Sequence, residues 1–322
     1  MKGTKKKQTN PLIVSYLQFI RADMKYFIGE LDGAIKDYME AYNKIIDQYK
    51  GYEMPEIEKE RCAYLINSIA WTYKRRNQDG DNKKAIEWYQ RLFNRFENIE
   101  NYVFSWRYIR NYGVCLENAK EYVNALEQYK KVLDNYAQAE RKGDNNEYKI
   151  FLTYCSATMK YWDNITEKTS GSWIEKTREI YKQKNKYFND EIFININAYL
   201  THANEKYTKV CAGDGLPDYY NQLSKMLTYK MIISSSNDVS KRDTEEIKKK
   251  LKIVESIDKN AIGYHFIKRD FYYALYELVH DEETKKDSLE IAWNENELLK
   301  GKGDSKKFSE MLEGKRKNKE IN

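Results

Sequence analysis

Along most of the chain, apolar and small residues recur at steps of three and four, the period of a helix with one buried face. Three stretches share a further register. They are RADMKYFIGELDGAIKDYMEAY, SIAWTYKRRNQDGDNKKAIEWYQRLF and RNYGVCLENAKEYVNALEQYKKVL. In each, a helical run containing a small residue (Ala22, Ala70, Gly113) passes through a short polar turn to an Ala. An aromatic follows four positions later, and a further small or apolar residue three after that. The triplets are Ala34/Tyr38/Ala41, Ala85/Tyr89/Leu92 and Ala125/Tyr129/Val132. Ala22 to Ala34 and Gly113 to Ala125 are both 12 residues, while Ala70 to Ala85 is 15, the extra three falling in RRNQDGDNK. The spacing predicts two antiparallel helices whose backbones approach at the small residues, with the aromatic filling the wedge one turn on.

Beyond residue 140 the register decays but the helical period persists. YKIFLTYCSATMKYWDNI predicts a helix with Leu152, Cys155, Ala157 and Met159 near its buried side. SGSWIEKTREIYKQKNKYF predicts another, with Ser170 or Ser172 as N-cap and a stripe of Trp173, Thr177, Ile180 and Tyr181. In NDEIFININAYLTHANEKYTKV the Ile192, Ile194, Ile196 alternation is strand-like, but length and neighbours favour helix. CAGDGLPD (211–218) is a break, after which a helix starts at Pro217 and buries Leu223, Met226, Leu227 and Met231. SSSNDVSKRDT (234–244) is a second break, followed by the narrow stripe Ile247, Leu251, Val254. Ala274 and Ser288 offer one more small–small contact. From Gly301 onward the chain is polar and basic, and a frayed or disordered end is expected. The expected organisation is a basic tail (1–8), repeats (9–140), a degenerate repeat (141–210), a C-terminal helical region (211–300) and a basic flexible tail (301–322).

The three segments resemble tetratricopeptide repeats. That family places small residues at repeat positions 8 and 20, an aromatic at 24 and a small or apolar residue at 27, and favours Gly at 15 (Gly29) and Tyr at 17 (Tyr122). The match spans residues 12–140. It departs from the family in having Arg21 where Leu is usual, Lys25 where Tyr is usual, no closing Pro, and intervals longer than the usual 34 residues. The resemblance implies an all-α fold of about a dozen antiparallel helices, hairpins stacked as a right-handed α-solenoid, with more irregular helices in the C-terminal half.

Composition supports this class. Of 322 residues, 41% are hydrophobic, 33% charged and 14% aromatic, with 14 Gly and 3 Pro, which argues against collagen-like, disordered or turn-dense β classes. The length allows two domains or one elongated array. The net charge is +6, but residues 1–8 and 300–322 each carry a net +4, which leaves the body at −2. The basic character therefore belongs to the ends, which lowers the expectation of a nucleic-acid-binding face. Lys5–Lys7 before PLIVSYLQFI resembles the start of a signal peptide, but no small-residue cleavage site follows, and the stretch reads as the first helix. No run approaches the ~20 apolar residues of a membrane span. The Lys-, Asn-, Ile- and Tyr-rich composition is consistent with an AT-rich bacterial genome.

Candidate chemistry is sparse. Cys62, Cys115, Cys155 and Cys211, and His202, His265 and His280, show no metal-ligand spacing, so neither metal nor cofactor is expected, and free thiols suit a reducing cytoplasm. GDG at 213–215 lacks the Lys-Ser/Thr of a phosphate loop, and no hydrolase motif occurs. An enzyme using His202 and Cys211 as base and nucleophile is the least favoured reading.

The architecture implies a non-catalytic adaptor or regulatory subunit that holds a protein or peptide in the concave face. If the register holds, the inward positions are Tyr16, Phe19, Asp23 and Tyr26 in the first repeat, Tyr64, Asn67, Trp71 and Lys74 in the second, and Arg107, Arg110, Val114 and Glu117 in the third. Rings cover apolar side chains and Arg grips a carboxylate. The same rings could instead serve packing between repeats. A chaperone-tail clamp, as in some family members, is excluded. Arg107 fits it, but Phe19, Asp23, Ser68 and Asn111 occupy its other positions, and Asp23 would repel a carboxylate. The basic clusters Lys74–Arg76, Lys248–Lys250 and Lys315–Lys317 carry the alternative of a nucleic-acid-associated subunit of a bacterial regulatory or defence complex. Oligomerisation through an uncapped apolar end of the array is a further expectation.

Overall fold

The computed structural model describes residues 11–96, 105–134, 149–210, 216–234, 241–257 and 262–320. Among the described residues every regular element is an α-helix. The proposed tail 1–8, residues 211–215 of the break at 211–218 and residues 235–240 of the break at 234–244 lie outside them, whereas 216–218, 234 and 241–244 belong to helices. The chain divides into two compact units, Met1–Ile150 and Phe151–Asn322.

The first unit is a run of antiparallel hairpins: α1 (Pro11–Ile28) with α2 (Leu31–Gln48), α3 (Glu56–Arg76) with α4 (Asp81–Arg95), and α5 (Ser105–Asn118) with α6 (Tyr122–Asp134). Cross-links in the first hairpin run in opposite directions along the two helices, as antiparallel packing requires. The Ser15 hydroxyl donates to the Ala41 carbonyl (2.8 Å), Gln18 to Glu40 (2.8 Å) and Arg21 to Asp37 (2.6 and 2.7 Å). Helix α2 also packs on α3, and α4 on α5, so each hairpin is laid on the next.

The small residues and triplets lie where the spacing put them. Ala22, Ala34, Ala41, Ala70, Ala85 and Ala125 are fully buried, as are Tyr89 and Tyr129, with Tyr38 nearly so. In the third hairpin the tight approach is of backbone to ring. A Cβ at Gly113 would lie 2.2 Å from Cε1 of Tyr129, so only glycine lets this ring close against α5. Tyr42 and Trp88 meet edge to face at 5.7 Å between the first two hairpins.

The turns explain the spacing. Gly29, at φ +87°, ends α1 in a Schellman motif in which the amides of Gly29 and Glu30 reach back to the carbonyls of Tyr26 and Lys25 (3.2 and 2.9 Å). Lys120 and Glu121 make the same bonds to Glu117 and Leu116 (both 2.9 Å), with Lys120 at φ +61° in the place of the glycine. The longer second turn has Asn77 and Gly80 at positive φ, and Arg76 grips Asp81 through two bonds (2.8 and 2.6 Å) while also reaching Asp32 on α2.

The second unit contains most of α7 (Lys149–Lys168), then α8 (Trp173–Lys182), α9 (Asp190–Val210), α10 (Leu216–Ser234), α11 (Lys241–Ile257), α12 (Ile262–Leu278), α13 (Glu282–Leu298) and α14 (Ser305–Glu320). Ser172 caps α8 in a reciprocal box with Glu175. The Ile192–Ile196 segment is helical, with Ile192 and Ile196 buried and Ile194 turned outward. Helix α10 packs against α8, α9, α11 and α12, and its inward face, Leu223, Met226, Leu227 and Met231, is buried. Around Trp162 gather Phe188 (5.1 Å), Phe193 (4.7 Å) and Tyr229 (5.1 Å). The indole donates to the Tyr187 carbonyl (2.6 Å) and the Tyr229 hydroxyl to Asp163 (2.8 Å).

One expectation is overturned for the described residues: Ser305–Glu320 is a helix docked on the second unit, not a frayed end. Arg269 of α12, itself buried, binds Asp304 (2.7 Å) and lies 3.9 Å over the Phe308 ring. Asn296 donates to the Ser305 carbonyl (3.0 Å) and Ser309 hydroxyl (2.8 Å), and Leu312 is fully buried. Phe308, Met311 and Leu312 make one short apolar edge on a lysine-rich helix, enough because α12 and α13 cover it.

Candidate functional site

The inward positions lie on α1, α3 and α5, the first helix of each hairpin. On α1, Tyr16 is half exposed and its ring lies 6.3 Å from that of Phe19. Phe19 in turn meets Tyr64 of α3 edge to face at 5.3 Å. Tyr64 feels both ends of the row: burial raises its hydroxyl pKa, the Asp23 carboxylate adds to this, and the Arg107 guanidinium of α5 opposes it. Asp23, Tyr64 and Arg107, one from each hairpin, therefore share one electrostatic neighbourhood, with the Tyr16–Phe19 shelf beside it. Asn67 of α3 accepts from Asn111 of α5 (3.1 Å), and Arg110 donates to that Asn111 (3.4 Å).

Three inward residues are already engaged in holding their own hairpins. Asp23 accepts from the Tyr38 hydroxyl, Asn67 from Tyr89 (3.0 Å) and Glu117 from Tyr129. In every hairpin the triplet tyrosine thus reaches back to a polar acceptor on the first helix. Burial raises the Asp23 pKa while the Tyr38 bond opposes it, and burial raises the Tyr38 hydroxyl strongly. Glu117 is buried, so it belongs to the hairpin more than to a binding face. Val114 and Trp71 are half-buried, and Arg107 is exposed.

The ring–cation pairs continue along the row. Lys74 lies 4.9 Å from the Trp71 ring and Arg75 4.5 Å from the Tyr26 ring, with an Arg75 donor on the Tyr26 carbonyl (2.9 Å). Arg75 and Arg76 thus join the second hairpin to the first, while Lys74 lies over a ring of its own helix. Lys248 binds Glu245 (3.2 Å), Lys250 lies 5.4 Å from the Tyr220 ring and Lys315 binds Glu277 (2.8 Å). The residue that sequence reasoning undervalued is Asn111, considered only as a mismatch to a clamp. The recurring polar acceptor opposite each tyrosine was present in the sequence, but at a different offset in each repeat.

Other chemistry is thin. Burial pushes the Cys62 and Cys115 thiols up to about 12 and raises Cys155 further, so these are packing groups. The His202 ring lies 4.7 Å from that of Phe151, and Cys211 lies outside the described residues. Among the described residues no His, Cys, Asp and Glu gather as metal ligands, and no helix is long and apolar enough to cross a membrane. A cavity of about 420 Å³ in the second unit mixes Lys248, Lys252 and Lys268 with Glu255 and Asp287, so its walls nearly balance in charge.

No family model matches the chain, and no curated protein matches it. Among solved structures it is similar to the hypoxic regulator of sterol synthesis Nro1, described as a nuclear import adaptor, with TM-score 0.39 and 12% identity over 94% of this chain and 92% of that one. Two crystal forms of S. pombe Nro1 align similarly. One has TM-score 0.38 and 12% identity, covering 94% of this chain and 98% of that one. The other has TM-score 0.38 and 11% identity, covering 97% and 99%.

Proposed function

We propose that the first unit is a tetratricopeptide-type interaction module of a non-catalytic cytoplasmic adaptor or regulatory subunit, and that its inner row holds an extended protein segment. The observation that carries this reading is the neighbourhood around Tyr64. An aromatic shelf (Tyr16, Phe19, Tyr64) spans α1 and α3, and the exposed Arg107 of α5, whose guanidinium lies 5.5 Å from the Trp106 ring, acts electrostatically on Tyr64. Such a surface suits a peptide offering an apolar or aromatic side chain and, further along, a carboxylate. A protein partner is favoured over nucleic acid because Lys74, Arg75 and Arg76 are spent on rings and carboxylates of the protein itself.

The test is an affinity pull-down with wild type beside an Arg107→Ala/Arg110→Ala variant. A partner retained by wild type and lost by the variant supports the groove, and identical partner lists place the interface elsewhere. Single-stranded RNA binding with a steep salt dependence, surviving removal of residues 1–8, would overturn the preference for protein. The opposite end must stay intact in that experiment, because α14 is part of the fold.

A further inference from the structure

Helix α1 is apolar on two faces. One, with Ser15, Phe19, Ala22 and Tyr26, packs into the first unit. The other carries Ile13, Leu17, Ile20, Met24, Phe27 and Ile28, which are between 40% and 77% exposed. A helix that is hydrophobic all round is normally covered all round. No charged residue interrupts this outer face. Arg21 stands at its edge and is turned to Asp37 (2.6 Å).

The spacing says what shape covers it. Ile13, Leu17, Ile20, Met24 and Phe27 advance by 4, 3, 4 and 3 residues, the 3.5-residue step of a seam that meets another helix. The seam is about 21 Å long. The area says which helix. The exposed part of these six side chains comes to about 700 Å² per copy, near the ~800 Å² per partner of a standard interface. An uncharged seam is complementary to itself in any register, as a two-fold contact requires. We propose that the outer face of α1 is a homodimer interface, two copies of this chain laid helix to helix about a two-fold axis. The face borders the inner row at Tyr16, one turn from Ile13 and Ile20, but none of its six residues belongs to that row, and neither reading depends on the other.

The test is sedimentation equilibrium of the full chain from about 1 to 100 µM, a range that brackets the affinity of a modest interface. Beside it run a Leu17→Glu/Met24→Glu variant and an Ile194→Glu control in the second unit, where Ile194 is exposed on α9. The expected result is a wild-type dimer, a control dimer, and a double variant whose dissociation constant rises about 100-fold or more, with an unchanged far-UV spectrum and melting temperature. A monomeric wild type overturns the proposal, including the case in which another segment of the same chain covers the face. A double variant that still dimerises, or a control that dissociates equally, also overturns it.

Discussion

The two units solve the same problem, burying helices in a chain rich in charge, by different means. The first repeats one device: a small residue at the crossing, a tyrosine against it, and a bond from that tyrosine to the facing helix (Tyr38–Asp23, Tyr89–Asn67, Tyr129–Glu117). Each hairpin is a local unit and the load is shared. The second gathers its helices around α10 and an aromatic cluster at Trp162, with Asp163 and Arg269 as polar anchors. Repetition spreads the consequences of a change, whereas a hub concentrates them.

The contrast can be broken or sharpened by substitution. Trp162→Ala removes the centre of the cluster and is expected to cost about 3–5 kcal/mol in urea denaturation. A loss below about 1 kcal/mol would deny the second unit its hub. Arg269→Ala takes the guanidinium from Asp270 and Asp304 and from the Asn296 amide oxygen and opens Phe308, and should cost about 3 kcal/mol. Limited proteolysis would then cut within residues 305–320, and full resistance there would detach α14 from this anchor. Gly113→Ala sets a methyl into the Tyr129 ring and should destabilise by about 2 kcal/mol, although Ala is the better helix former by about 1 kcal/mol. Gly33→Ala, whose nearest neighbour is Cδ of the Lys25 side chain at 3.0 Å rather than a ring or backbone, is the control and should change stability by less than about 1 kcal/mol, the Lys25 stem shifting slightly while its Nζ keeps Asp37 (2.9 Å).

Smaller effects probe the hairpin links. Burial alone would raise the Asp37 carboxyl pKa, but bonds from Arg21 and Lys25 outweigh it and hold it below the ordinary value. A carboxyl held down in this way adds stability above its unfolded pKa of about 3.9, and loses it as pH falls through the folded value. Asp37→Asn should therefore cost about 1–2 kcal/mol at pH 7. Its gap from wild type should close as pH drops below about 4, which melting curves across pH would follow. A constant gap would mean that the charge of Asp37 is irrelevant. Last, Lys120→Gly relieves a left-handed residue in the third turn and should stabilise by about 0.5–1 kcal/mol, making that turn chemically like the first at Gly29.

Much of the first unit was legible in the residues. The buried alanines and tyrosines of the triplets were located by spacing alone, because a hairpin's core lies within a few turns of itself. The inner row was located less completely. Asp23, Asn67 and Glu117 stand on the expected helices, but their engagement by tyrosines follows from which rotamers close the hairpin. The basic cluster Lys74–Arg76 read as a charged surface because its partners, Tyr26, Asp32 and Asp81, lie up to 49 residues away. In the second unit the helices before Gly301 were legible and their arrangement was not, since a hub joins residues as far apart as Asp163 and Tyr229 with no shared period.

The sequence by itself determined that the chain is helical, where its first six helices pair, and which small residues lie at their crossings. These depend on local period and nearest-neighbour packing. Only the tertiary structure decided that the lysine-rich end is a docked helix, that Asp23 and Arg107 act on Tyr64 with opposite sign, and that α1 carries a second, exposed apolar seam. Burial and charge pairing between distant segments are properties of proximity, which hydrophobic pattern does not encode.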